Sequence, residues 1–179
     1  MKVLFNSIYT LTIAITLSNC KKLDEYTQFN LNYNETIVIP SSTGINLPLN
    51  LFTPETTTNS EAEFAINDTR KDLIEEIKLT SLSIELISPT DQDFSFLKSI
   101  NIYINTDGLG EHEIAKNENV QGDNEILIEL SPSTLDLQEY IKKDNFTLRL
   151  KTVTDEVLTS DHQIKVNSSF FVDAKVLGQ

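Results

Sequence analysis

Few residue types in this chain can do chemistry, and their spacing decides which chemistry is open. The sequence has two histidines, His112 and His162, and a single cysteine, Cys20. His112-Glu113 is the first half of an H-E-x-x-H zinc motif, but Lys116 stands where the second histidine must be. With no further thiol and no nearby second imidazole, a catalytic zinc site lacks its ligands. No serine is flanked by glycines as in G-x-S-x-G, and five glycines leave no phosphate-cradling loop. A glycoside hydrolase needs two carboxylates at a set separation, and 27 acidic residues single out no pair. No catalytic constellation emerges, and no cofactor is implied. On a β surface a histidine is expected to be solvated rather than to act as a base.

Oxygen ligands for a hard cation are the next possibility. Asp91-Gln92-Asp93 and Asp123-Asn124-Glu125 lie in two turn-rich stretches. In a simple meander these fall at the same end of the domain, which makes Asp91, Asp93 and Asp123 candidate calcium ligands. Neither stretch has EF-hand spacing, and solvated acidic turns are the expected state. Two aromatics stand out by parity. Tyr103 falls on the outward side of its strand and Phe171 opposite its apolar neighbours, so each marks a candidate contact patch for a glycan or a protein. The absence of tryptophan removes the best sugar-stacking side chain.

The elements that must position these residues read as strands. Phe29, Leu31, Tyr33, Ile37 and Ile39 share one parity, and Ile45, Leu47, Leu49 and Leu51 resume the pattern after a turn at 40–44. Pro48 cannot donate to a ladder, which places that second strand at an edge. Ile77 and Leu79, then Leu82, Ile84 and Leu86, form a long strand whose parity changes partway, so a bulge near Ser81 is required. Further strands are predicted at Ile100–Ile104, around Ile114, at Ile126–Leu130, at Phe146–Leu150 and from Ile164 to Val176. Residues 53–60 read as a threonine-rich loop, and short helices are predicted over 71–76, capped by Asp68-Thr69, and over 135–142. This pattern predicts an all-β fold: a single antiparallel β-sandwich, Ig-like or jelly-roll-like, with one or two short helices, and a β-barrel as the alternative.

Charge excludes one class of partner. Fourteen basic residues against 27 acidic ones give a formal charge of −13, and the basic residues cluster only as pairs such as Lys142-Lys143. Nucleic acid, whose phosphates need clustered Lys and Arg, is therefore not an expected partner. An acidic body is also repelled by an anionic leaflet, so membrane attachment requires an anchor outside the folded surface.

The amino terminus supplies that anchor. Met1-Lys2 carries a positive charge, Ile8 to Leu17 form a short apolar run, and Leu17-Ser18-Asn19-Cys20 ends it. This order resembles the signal of bacterial lipoproteins of Gram-negative type, with Asn19 where that class usually has a smaller residue. The resemblance implies cleavage before Cys20 and lipidation of its sulfur, and the two or three acyl chains so attached would hold the protein stably on a membrane. It divides the chain into a signal peptide (1–19), a lipidated cysteine and tether (20–28) and a β-sandwich domain (29–179). The charged residues after Cys20 are similar to those of surface-exported lipoproteins, and the mature part resembles uncharacterised surface β-sandwich lipoproteins. The expectation is a cell-envelope protein of the outer membrane or cell surface that acts as a binding or assembly module toward a protein or glycan, rather than an enzyme. The alternatives are an accessory subunit of an envelope complex, a calcium-dependent glycan-binding module and, last, a hydrolase.

Overall fold

Period-two alternation turns into strands wherever it is sustained. The computed structural model describes residues 27–41, 45–120 and 125–175. The signal segment, Cys20 and Asp123 lie outside them. The strands are β1 (Gln28–Ile39), β2 (Pro48–Phe52), β3 (Thr56–Thr57), β4 (Ile74–Ser88), β5 (Leu97–Asn105), β6 (His112–Asn117), β7 (Leu127–Pro132), β8 (Asn145–Thr154) and β9 (His162–Ala174). In β9 the inward set Ile164, Val166, Ser168, Phe170, Val172 and Ala174 is buried, while the residues between are partly exposed. β1 follows the same rule, with Leu31, Ile37 and Ile39 buried and Val38 exposed. In β4 the parity change is absorbed by a register shift between Leu79 and Ser81, so Leu79 and Leu82 are both buried.

All the strand pairs are antiparallel. Hydrogen-bonded neighbours run in the order β1-β9-β4-β7-β6-β5-β8-β2, with β3 on the margin of β8. The path doubles back at β6 and β7, which are joined only through Ala115–Pro132 and Lys116–Ser131. One sheet is therefore β1-β9-β4-β7 and the other β6-β5-β8-β2, packed face to face over one apolar core. Rings from both sheets meet there: Tyr33 and Phe146 lie 5.3 Å apart, and Phe146 and Phe170 6.1 Å. This strand order is that of a jelly roll, a sandwich of two four-stranded sheets. β1 and β2 do not pair, so the alternative of a closed barrel is not formed.

The connections sort by end. Those from β1 to β2, β4 to β5, β6 to β7 and β8 to β9 all cross between sheets at one end, here termed the crossover end. The opposite end, the base, holds the start of β1, the β5–β6 hairpin and two helices, α1 (Ser60–Ile66) and α2 (Gln138–Ile141).

Local expectations fail in four places. The helix expected over 71–76 is a single 3-10 turn, Lys71–Leu73, because Ile74 and Glu76 are drawn into β4 opposite Ala174 and Asp173. The true helix, α1, begins within the threonine-rich stretch. Phe64, fully buried, anchors it, and Glu61 and Glu63 in its first turn suit the helix dipole. The predicted helix at 135–142 shortens to α2, after Asp136 accepts hydrogen bonds from the amides of Ile77 (3.0 Å) and Gln138 (3.1 Å). Finally, His162 is only 2 % exposed instead of solvated, since it stands on the inward parity of β9; its Nδ1 lies 2.9 Å from the Ser160 carbonyl and its ring packs edge-on against Phe96.

Phe170 lies at 0 % exposure between Tyr33 and Phe146. Phe170→Ala should therefore cost about 3–5 kcal/mol in urea denaturation, as truncation of a core phenylalanine does. Lys175→Ala, at an exposed residue paired with Glu75 at 3.7 Å, should stay within about 0.5 kcal/mol. The reverse order would mean that β9 is registered the wrong way round.

Candidate functional site

Three places gather polar or exposed apolar groups. The first is the outer face of the second sheet, where the register sets Phe52, Arg149, Tyr103 and Glu113 side by side across β2, β8, β5 and β6. Arg149 is held on every side: Nε and Nη2 donate to the two carboxylate oxygens of Glu111 at 2.7 and 2.6 Å, and Nη1 donates to Asn50 at 2.6 Å. Its guanidinium also lies over the Tyr103 ring, 4.1 Å from the centroid. Asn101 donates to Glu113 at 3.1 Å beside it. Hydrogen bonding to Arg149 holds the Glu111 carboxyl below its ordinary range, and partial burial, then Glu113, pushes the Tyr103 phenol upward. Tyr103 thus occupies the outward face that its parity indicates, but as the floor under an arginine. The sequence carried no signal for Arg149, because its partners come from β2 and from the β5–β6 connection.

The second place is the crossover end. Its loops are tied to one another by Ser41 N to Asp161 (2.8 Å), Asn46 N to Thr154 O (2.7 Å), Asp155 N to Phe96 O (3.1 Å) and Phe94 N to Glu125 O (2.9 Å). The last bond places Glu125 beside the segment that follows Asp93, while Asp123 and Asn124 lie outside the described residues. Asp93 spends a carboxylate oxygen on the Ser95 amide at 2.9 Å, and Asp91 is exposed. Among the described residues no three His, Cys, Asp or Glu side chains converge into a group able to hold a metal. Apolar side chains are more distinctive there. Of the ten large hydrophobics exposed among the described residues, Val38, Ile45, Leu47, Ile87, Ile126, Leu127 and Val157 surround this end, leaving three elsewhere. Exposed acids, Asp91, Glu118, Glu125, Asp155, Glu156 and Asp161, surround it too, against Lys98, Lys116 and Lys151.

The third place is the open edge, where β1 and β2 do not pair. Thr56 donates to Glu35 (2.8 Å) and the Tyr33 hydroxyl to the Thr58 carbonyl (3.1 Å), bridging the sheets. A cleft of about 330 Å³ remains between β1 and residues 57–59. Burial, and then the charge of Glu63, pushes the Tyr33 phenol far above its ordinary value.

His112 and His162 are kept apart: His112 bonds through Nδ1 to the Tyr140 hydroxyl near the base, and His162 sits at the other end. Phe171 lies on the outer face of the first sheet, opposite Asn30 and Lys78. No helix among the described residues is long and apolar enough to cross a membrane.

No protein-family model matches the sequence, and no curated protein does. Among solved structures, a chain from Desmodium yellow mottle tymovirus is similar at 11 % identity and a TM-score of 0.24, over 85 % of each chain. Likeness of that degree carries no functional argument.

The Arg149–Glu111 pair gives a signed pH dependence. A carboxyl whose folded pKa is depressed stabilises the fold above its unfolded pKa, and that contribution is lost as pH falls through the folded value. Discounted for its partial exposure, the bidentate pair is worth about 0.5–1 kcal/mol. Glu111→Gln should lower stability by that amount near pH ~7, and the difference from wild type should close below pH ~4. A gap that is constant with pH would show that the charge of Glu111 contributes nothing.

Proposed function

We propose that this protein is a lipid-tethered component of the bacterial cell envelope, on the outer membrane or cell surface, acting as a binding or assembly module. Cys20 is the lipidation site and the crossover end is the contact surface. The observation that carries this reading is the polarity of the domain. β1 starts at the base, a few residues after the candidate anchor, whereas seven exposed aliphatic side chains gather at the far end. Singly scattered surface hydrophobics mean little, but concentration at one end marks an interaction site. Four interlocked loops on a rigid sandwich are also the usual place for recognition. The partner that fits is a protein with an apolar docking face and a basic rim, because acids surround the aliphatic tips. An accessory subunit of an envelope complex is the form this takes.

Photo-crosslinking in the native cell tests both halves. A benzoylphenylalanine at Leu47 or Val157 should give a discrete adduct that disappears when Ile126→Asp is added, while one at Ile66, beside the base, should give none. An acyl-chain analogue should label the wild type and not Cys20→Ser. Equal adducts from both ends, or equal labelling of both proteins, would contradict the reading.

A further inference from the structure

The cleft at the open edge stands apart from the crossover end and is built differently. One wall is the edge strand β1, with Asn30, Asn32 and Tyr33; the other is the segment from Thr57 to Asn59 and the first turn of α1, with Glu63. Asn59 holds its wall in place with a left-handed backbone, φ +49°. The Tyr33 hydroxyl is already committed to the Thr58 carbonyl and ties the two walls together.

What distinguishes the cleft is unused hydrogen-bonding capacity. Asn30 and Asn32, on the exposed parity of β1, stand at its rim with the exposed Asn59, while Glu63 is half-buried, and none of these four side chains makes a hydrogen bond or ion pair with another described residue. Three amides offer donors and acceptors, and the carboxylate offers acceptors alone. Among the described residues no lysine, arginine or histidine lines it, so a phosphate or carboxylate ligand would find no counter-charge from them. Its single aliphatic residue, Leu31, is 3 % exposed, which leaves nothing for a lipid chain to cover. One carboxylate is too few for a calcium ion.

We propose that this cleft is a binding site for a neutral saccharide. Vicinal hydroxyls each donate and accept, as do amides, and a carboxylate takes two sugar hydroxyls without needing a charged ligand. At about 330 Å³ the cleft is at the small end of ligand sites, suited to roughly one or two sugar rings.

Saturation-transfer NMR on the intact protein tests this, with glucose, galactose, mannose, N-acetylglucosamine and their β-1,4-linked disaccharides as probes. At least one should receive transfer, and Glu63→Gln and Asn32→Ala should each weaken its affinity about tenfold, the usual effect of losing one hydrogen bond to a charged or well-placed polar group. Asn50→Ala, on the outer face of the second sheet, should leave affinity unchanged, and unaltered melting of all three variants would show that they fold. The competing occupant is an extended peptide adding to the free edge of β1, which would bind through backbone groups. No transfer to any sugar, transfer indifferent to both cleft substitutions, or binding of an oligo-threonine peptide that survives both would overturn the proposal.

Discussion

β9 is hydrogen-bonded along its whole length on both sides, to β1 from Asp173 to His162 and to β4 from Ala174 to Gln163. Three long strands must therefore keep one face inward together over a dozen residues. A slip of one residue in any of them would turn its apolar set to solvent. This constraint forces the register shift after Leu79, and the same ladder pulls Ile74 and Glu76 out of a helix. It also explains why polar residues at inward positions stay buried: Ser168 and His162 lie where the parity of β9 puts them.

The second sheet depends on the first through side chains more than through backbone. Among the described residues its only ladder to the first is the short β6–β7 seam, and at the opposite edge the bridge is made by Tyr33, Glu35 and Thr56. Between these edges Tyr33, Phe146 and Phe170 meet edge to face, each ring contacting the other two. Such contacts add about 0.5–1.5 kcal/mol each beyond the area they bury. With one cysteine in the sequence, no intrachain disulfide supplements them. The open edge is where packing gives way to hydrogen bonds, and that is also where a polar cleft survives.

Sequence periodicity carries the parity of β1, β4, β5, β8 and β9, the need for a bulge near Ser81 and the edge position of Pro48, because each follows from local alternation under burial. It does not carry the jelly-roll strand order, which depends on which strand each connection reaches. Nor does it carry the start of α1, since Thr56-Thr57-Thr58 reads as loop until Phe64 is seen to anchor the following turn. The candidate sites divide in the same way. The outward face of Tyr103 follows from parity. The environment of Arg149 and the cleft at Tyr33 join residues far apart in the sequence, 38 positions from Glu111 to Arg149 and 25 from Tyr33 to Thr58, and no local pattern joins them.

The most direct test of β9 as the strand that holds the domain together is native-state amide hydrogen exchange. Amides open at free energies from near zero at mobile edges up to the global stability in the most constrained strands. The slowest amides should be those from Val166 to Val172 and their partners in β4, with Leu49 to Leu51 in the edge strand β2 much faster. If the β9 amides exchanged as readily as those of β2, the account of this fold would be contradicted.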